Sequence, residues 1–260
     1  MTQMGLFTGT ADYYDQYRPG VPQEVVDTIL GAVATPITLL DLGCGTGRIT
    51  EQFAPYFSET LGVEPEVEMR KIARKRLAEL PATILPGTAE DVKLPAGWQA
   101  SLVFMCRSFH WMPQHAVLSR LESIVAADGV IAVLSDSTFW TLSSDWAEMI
   151  KDLLAHYIGE ERRTLFGTYK PPMEYFGKSF TSPVFTELER HMIPVERQWT
   201  ADQLIGYLYS TSYASHAVLG DKAPIFEKQL RERLHQLSAD DLFTEHNRFD
   251  ILLARRPLAT

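Results

Sequence analysis

The eleven residues Ile37-Thr38-Leu39-Leu40-Asp41-Leu42-Gly43-Cys44-Gly45-Thr46-Gly47 restrict the architecture of this chain more than any other stretch. A short apolar run ends in an acid, and three glycines follow at alternate positions. The apolar run has the make-up of a buried parallel strand. The glycines predict a tight turn where backbone passes close to a ligand. Beyond them, Ile49, Phe53 and Phe57 recur at helical spacing over Arg48 to Phe57. Strand, glycine-rich turn and helix, in that order, make the nucleotide-binding end of a doubly wound sheet.

The spacing narrows the ligand. A dinucleotide site needs G-x-G-x-x-G, and here Arg48 holds the third glycine position while Gly47 comes one residue early. A phosphate loop needs G-x-x-x-x-G-K-[ST], which is absent from this turn. Asp41 also disfavours a pyrophosphate by like charge and suits a ligand with a positive group. S-adenosylmethionine (SAM) carries an ammonium and a sulfonium and no phosphate. Leu40 to Gly47 resembles the first motif of the class I SAM-dependent methyltransferases, E/D-x-G-x-G-x-G. The resemblance implies SAM as cofactor, S-adenosylhomocysteine as its product, and cofactor contacts at Asp41, Gly43, Cys44, Gly45, Thr46 and Gly47.

Composition limits the partners. The 260 residues are 45% hydrophobic and 22% charged, an ordinary globular balance. A formal net charge of −9 speaks against nucleic acid, which needs a basic footprint. Lys71, Arg74, Lys75 and Arg76 fall on one predicted helix and read as a solvated face. Met1 to Tyr13 lacks the basic start and apolar core of a signal peptide, and no run reaches about 18 apolar residues. The expectation is a cytoplasmic protein with a small-molecule substrate and no membrane partner; the oligomeric state stays open. Cys44 and Cys106 lack metal-ligand spacing, so neither a metal site nor a disulfide framework is expected.

Up to about Ser135 the chain alternates strand and helix. Strands are predicted at Ile37–Leu42, Glu59–Glu64, Ala82–Leu85, Ser101–Cys106 and, after a turn at Asp128-Gly129, Val130–Leu134. Helices are predicted over Gln23–Val33, from Pro65 onward with Met69, Ile72, Ala73, Leu77 and Leu80 on its buried face, and around Val117, Leu118, Leu121, Ile124 and Val125. This is the rhythm of a parallel sheet covered on both faces. From Thr138 to about Pro183 it breaks into an aromatic stretch with Trp140, Trp146, Tyr157, Phe166, Tyr169, Tyr175, Phe176 and Phe180. That stretch is either a lid over the substrate or a set of helices whose aromatics fill core. Strands return near His191–Trp199 and Arg248–Ala254. The resemblance makes these the antiparallel pair that completes seven strands. The expected fold is therefore α/β, a doubly wound, mostly parallel, seven-stranded Rossmann-like methyltransferase sheet with an inserted helical lid. One domain, 1–260, would comprise an N-terminal cap (1–35), a cofactor-binding core (36–135), the lid (136–190) and a C-terminal sheet with helices (191–260).

Further motifs extend the resemblance. Glu64 lies 23 residues after Asp41, in Leu61-Gly62-Val63-Glu64-Pro65. It matches the family's second motif, whose carboxylate accepts both ribose hydroxyls, and Pro65 and Met69 join the implied cofactor set. Gly87-Thr88-Ala89-Glu90-Asp91 matches the loop over the adenine edge, with Thr88 in place of the usual aspartate; Thr88, Ala89 and Glu90 are the implied contacts. Cys106-Arg107-Ser108-Phe109-His110-Trp111 follows the fourth strand, and Cys106 and Arg107 are implied at the methionyl part. The Phe-His-Trp run and the Tyr-Arg-Pro-Gly-Val-Pro stretch are similar to a small-molecule subgroup that includes trans-aconitate and juvenile hormone acid methyltransferases.

Roles around the acceptor are less determined. His110 is either a neutral base for a hydroxyl or amine or a residue that positions its loop. Arg18 either pairs with the cofactor carboxylate or is a surface turn residue. Thr200 predicts a helix start, and the segment from Trp199 to Ser210-Thr211-Ser212 is similar to a Trp…Ser-x-Ser segment of the same subgroup. Tyr14, Trp111, Trp140, Tyr209 and Ser212 are the implied acceptor wall. The function expected is SAM-dependent methyl transfer to a small-molecule carboxylate, hydroxyl or amine. A carboxyl methyltransferase of a carrier-bound acyl group and a non-catalytic SAM-binding protein are the alternatives; Arg48 disfavours a nicotinamide-dependent dehydrogenase.

Overall fold

The structure, a computed structural model, describes residues 9–136, 139–159, 163–164, 167–168 and 180–257. Among them, α1 spans Ala11–Tyr17 and α2 Gln23–Gly31, followed by β1 (Thr38–Leu42), α3 (Arg48–Phe53), β2 (Glu59–Glu64), α4 (Val67–Arg76), β3 (Ala82–Pro86) and β4 (Ala100–Cys106). Then come α5 (Gln114–Ile124), β5 (Val125–Asp136), α6 (Asp145–Ile158) and the short antiparallel pair β6 (Arg163–Thr164) and β7 (Gly167–Thr168). The chain continues through β8 (Glu187–Trp199), α7 (Ala201–Tyr209), α8 (His216–Leu219), α9 (Ala223–Leu237) and β9 (Phe243–Arg255).

Seven strands form one sheet in the order β3-β2-β1-β4-β5-β9-β8. The first five are mutually parallel and β9 runs antiparallel to β5. Between β1 and β4 the order reverses, because the chain runs outward one way through β2 and β3 and the other way through β4 and β5. A crevice outside the carboxyl ends of the strands is the binding place such a reversal creates. The central strands are apolar without alternation because helices cover both faces. Leu40, Leu42, Val103, Met105, Ile131 and Val133 are buried with Val117, Leu118 and Leu121 of α5 in one core.

Several boundaries differ from those read in the sequence. Asp128-Gly129, expected as a turn, lies within a strand. β5 runs from Val125 through both residues, with a register shift where Ala100 faces Val125 and Leu102 faces Val130. Backbone passes so closely there that a Cβ on Gly129 would lie 2.7 Å from the Ala100 carbonyl oxygen. α3 stops at Phe53, and the 3₁₀ turn Ala54–Tyr56, with Pro55 inside it, takes up the rest of the expected helix. β8 and β9 start earlier than expected, at Glu187 and Phe243. The early residues of β8 are largely charged, and β8 lies at a sheet edge, where charge guards against unwanted pairing.

The chain divides into two compact units, one made of Met1–Pro19, Ser137–Pro171 and Pro194–Arg248, the other of Gly20–Asp136, Pro172–Ile193 and Phe249–Thr260. In the first, α6 buries Trp146, Ala147, Ile150, Leu153 and Leu154 in a core shared with Leu204, Leu208, Phe226, Leu230 and Leu234. Trp146 of the aromatic stretch is thus a core residue, and its indole N–H donates to the Thr244 carbonyl (3.1 Å). Phe166, Tyr169, Tyr175 and Phe176 lie outside the described residues. Thr200 caps α7 as its sequence predicts, in a reciprocal capping box with Gln203. α1, unexpected from sequence, packs on α7 where Gly206 meets the Tyr17 ring.

A Cβ on Gly206 would lie 2.3 Å from Tyr17 Cδ2. Gly206→Ala should therefore destabilise the protein by about 1–3 kcal/mol through overpacking, outweighing the gain in helix propensity. Urea unfolding of the two proteins measures the difference.

Candidate functional site

The second unit gathers most of the expected cofactor residues at the carboxyl edge of β1, β2 and β4. The turn after β1 is held by the Gly43 and Cys44 N–H groups, which donate to the Val63 carbonyl (2.8 and 3.1 Å). Gly43 and Gly47 have φ of 76° and 75°, a left-handed backbone that favours glycine. Close approach adds a second requirement. A Cβ on Gly43 would stand 2.6 Å from Ser108 Cβ, and one on Gly47 would stand 2.9 Å from Leu77 Cδ1.

Two buried carboxylates flank this turn. Asp41 is 2% exposed and accepts a 2.6 Å hydrogen bond from the Thr50 hydroxyl. Burial, with a smaller contribution from Glu64, pushes its carboxyl up to about 7 against the Thr50 hydrogen bond. Glu64 is 6% exposed. Its Oε2 accepts from the Gly45 N–H (2.9 Å) and its Oε1 from the Glu66 N–H (2.8 Å). Burial raises its pKa, opposed chiefly by those two N–H groups. The Arg70 guanidinium fastens the chain after β2 by donating to the Glu64 and Pro65 carbonyls (2.8 and 2.5 Å).

Other expected contacts are distributed as follows. Cys44 brings only its backbone to the turn, since its side chain packs with Ala73, Leu77 and Ile84 and burial raises its thiol pKa. Pro65 is exposed, whereas Met69 lies in the buried face of α4. In the loop after β3, the Thr88 carbonyl accepts the Asp91 and Val92 N–H groups, and Ala89 is buried. Glu90 receives Arg120 on its carbonyl (3.0 Å). Two hydroxyls, Thr46 Oγ1 in the glycine turn and Thr88 Oγ1 in this loop, are buried with no hydrogen-bond partner among the described residues. Buried hydroxyls call for partners, and these two suit a polar ligand lying along the strand ends.

After β4, Arg107 turns its side chain to Asp136, and the loop continues into the 3₁₀ turn Phe109–Trp111. Phe109 is buried and Trp111 is 40% exposed. The His110 ring centroid lies 4.8 Å from that of Trp111. Burial lowers the His110 pKa to about 4, so its imidazole is neutral at neutral pH. Ser108 and Thr50 were not singled out by sequence, yet Ser108 donates to the Leu42 carbonyl (2.7 Å) and Thr50 is the partner of Asp41. Neither belongs to a spacing rule; α3 and the β4 loop bring them there.

The first unit holds the remaining candidates. Arg18 Nε donates to Ser210 Oγ (2.8 Å), and its guanidinium carbon lies 5.1 Å from the Tyr14 ring centroid and 4.5 Å from that of Tyr207. It is an integrated residue of this unit and not a loose surface arginine. Tyr209, expected in the acceptor wall, is 2% exposed. Its hydroxyl donates to Glu227 (3.1 Å) and its ring stacks on His216 at 4.0 Å, because that face of α7 looks into the unit's interior. Ser212 is buried as well, and the Trp140 ring packs 5.3 Å from that of Tyr213. Among the described residues no group of His, Cys, Asp and Glu could hold a metal ion, and no helix is long and apolar enough to cross a membrane.

Comparison with known proteins places this arrangement. The family profile described as a methyltransferase domain matches residues 40–133. An uncharacterised methyltransferase of Mycobacterium tuberculosis is 26% identical, covering 91% of this chain and 87% of that protein. Trans-aconitate 2-methyltransferase of Sinorhizobium medicae is 35% identical across 36% of each chain. The solved structure of a candidate type II methyltransferase from Anaeromyxobacter dehalogenans superposes with a TM-score of 0.71 at 19% identity, over 94% of this chain and 100% of that one, a likeness of fold.

The raised carboxyl of Asp41 has a consequence for stability. Between about pH 4 and pH 7 the folded protein holds a proton there that the unfolded chain releases, so this group's contribution is present below pH 4 and lost as pH rises through 7. Asp41→Asn should therefore raise Tm by several degrees at pH 8, with the gain shrinking towards pH 5. Calorimetric melts at both pH values measure it.

Proposed function

We propose that the chain, a SAM-dependent methyltransferase by the match of residues 40–133 to a methyltransferase domain and by its similarity to methyltransferases, methylates a carboxylate, hydroxyl or amine of a small molecule. The observation that carries the acceptor reading is the turn after β4. A neutral imidazole and a partly exposed indole stand there in the same unit as the glycine turn. The similarity to a trans-aconitate methyltransferase supports a small acceptor. A net charge of −9 is adverse to a nucleic-acid acceptor.

The residues present suit SAM. Glu64 has one backbone N–H on each carboxylate oxygen and retains lone pairs for two ribose hydroxyls. Asp41 offers negative charge beside the turn for a ligand's ammonium, and the Thr46 and Thr88 hydroxyls supply the further polar partners. When bound, the cofactor supplies an electrophilic methyl group on a sulfonium, whose departure leaves a neutral thioether. What remains for the protein is alignment of the nucleophile and exclusion of water. We assign His110 an orienting role, because an imidazole whose conjugate acid has a pKa of about 4 is a weak base at neutral pH. A carboxylate acceptor needs no base at all.

Titration calorimetry tests the cofactor. Wild type should bind SAM, and Glu64→Ala should weaken it by about 1–3 kcal/mol, as expected for loss of a buried charged hydrogen-bond acceptor. SAM affinity should rise from pH 6 to pH 7.5, since the ionised Asp41 is the form that attracts an ammonium. Asp41→Asn should bind weakly and abolish that rise. Wild type with no affinity for SAM would remove the assignment.

The acceptor is identified by mass spectrometry of metabolite extracts incubated with the enzyme and isotopically labelled SAM. With that acceptor, His110→Gln should keep kcat within about tenfold of wild type, whereas loss of a general base would cost about 10²–10⁴-fold.

A further inference from the structure

Arg107 is one of two described non-glycine residues with positive φ, at 56°. Side chains seldom adopt that conformation, and it persists where the surroundings hold it. Here the surroundings are specific. The Arg107 N–H donates to the Leu134 carbonyl (2.9 Å), continuing the ladder in which Cys106 faces Leu134. The guanidinium then forks onto Asp136, with Nε to Oδ1 at 2.6 Å and Nη2 to Oδ2 at 2.8 Å. Both side chains are little exposed, at 12% and 13%. The guanidinium carbon also lies 5.5 Å from the centroid of Phe249, the residue that faces Asp136 on β9. A bidentate arginine–carboxylate pair fixes orientation as well as distance, which a lysine cannot do.

The residues after this bend reach the glycine turn directly. Ser108 Oγ donates to the Leu42 carbonyl, and Ser108 Cβ occupies the space that a side chain at Gly43 would need. His110 and Trp111 follow in the same turn. We infer that Arg107 is a positioning residue: its fork onto Asp136 holds the bend at the end of β4 and thereby seats the Ser108–Trp111 loop on the turn that holds the cofactor. The inference rests on the reading of that turn as a SAM site. Arg107 acts through the loop, and Asp136 is an equal member of the device.

A double-mutant cycle separates this from the other roles an arginine could have there. SAM affinity and Tm are measured for wild type, Arg107→Ala, Asp136→Ala and the double variant, with backbone amide exchange followed across residues 107–111 of the free proteins. Each single variant should bind SAM about tenfold more weakly, the double variant should be no worse than either, and exchange at 108–111 should accelerate in all three. If Arg107 held the cofactor itself, Asp136→Ala would leave affinity unchanged or improve it, and the inference would be wrong. Lower Tm with wild-type affinity and slow exchange would also overturn it, leaving a merely structural ion pair. Failure of wild type to bind SAM would remove the functional reading, while the exchange measurement would still show whether the pair seats the loop; unchanged exchange in the variants would refute that.

Discussion

A side chain at Gly43 would collide with Ser108, and the geometry of the carboxyl edge follows from its absence. Because the backbone after β1 carries nothing there, the loop after β4 lies directly on it and Ser108 can bond the Leu42 carbonyl. The same turn is anchored on its other side by two N–H groups on the Val63 carbonyl. β1 thus meets β2 and β4 at the point where the sheet order reverses, and the residues proposed to hold the cofactor are carried by three strand ends held in contact. Displacing any of these strands would move the turn.

Charge is handled at that edge by backbone donors more than by counter-ions. Glu64 is buried and accepts one N–H on each oxygen, one of them from Gly45 in the turn itself. Asp41 has the Thr50 hydroxyl, and burial leaves its carboxyl near half-protonation at neutral pH. A buried acid without a cation tends to neutralise. The arrangement is therefore poised for a positively charged ligand, which favours the ionised form. Arg107 and Asp136 contrast with this: opposite charges paired side by side, serving to hold the chain's direction.

The first unit uses its aromatics differently. Trp146 and Tyr209 fill its interior, and the Tyr209 hydroxyl is occupied by Glu227. An aromatic-rich sequence is compatible with a pocket wall or with a core, because both reward large apolar surfaces. Burial decides between them, and periodicity within one helix cannot, since a helix can be apolar towards a core and still look like a lining. Arg18 is the instructive opposite case. Sequence leaves it between a ligand partner and a solvated turn, whereas packing places its guanidinium near two tyrosine rings with its Nε on Ser210.

The alternation of strands and helices up to Ser135, the glycine turn and the acids at Asp41 and Glu64 were legible because each is a local signature: apolar runs of strand length, glycines with positive φ, and acids at strand ends. The early start of β8 was not legible, because its first residues are charged and exposed at the sheet edge; β9 begins with Phe243 and Glu245 buried, and a buried acid reads in sequence as surface. The sequence alone thus determined the fold class and the chemistry of the ligand at the first strand. Only the tertiary structure decided that Thr50 bonds Asp41 and Ser108 the Leu42 carbonyl, that Tyr209 does not face solvent and that Arg107 is paired with Asp136. Those facts depend on which strand ends and helix faces meet, and such long-range contacts leave no spacing rule in the chain.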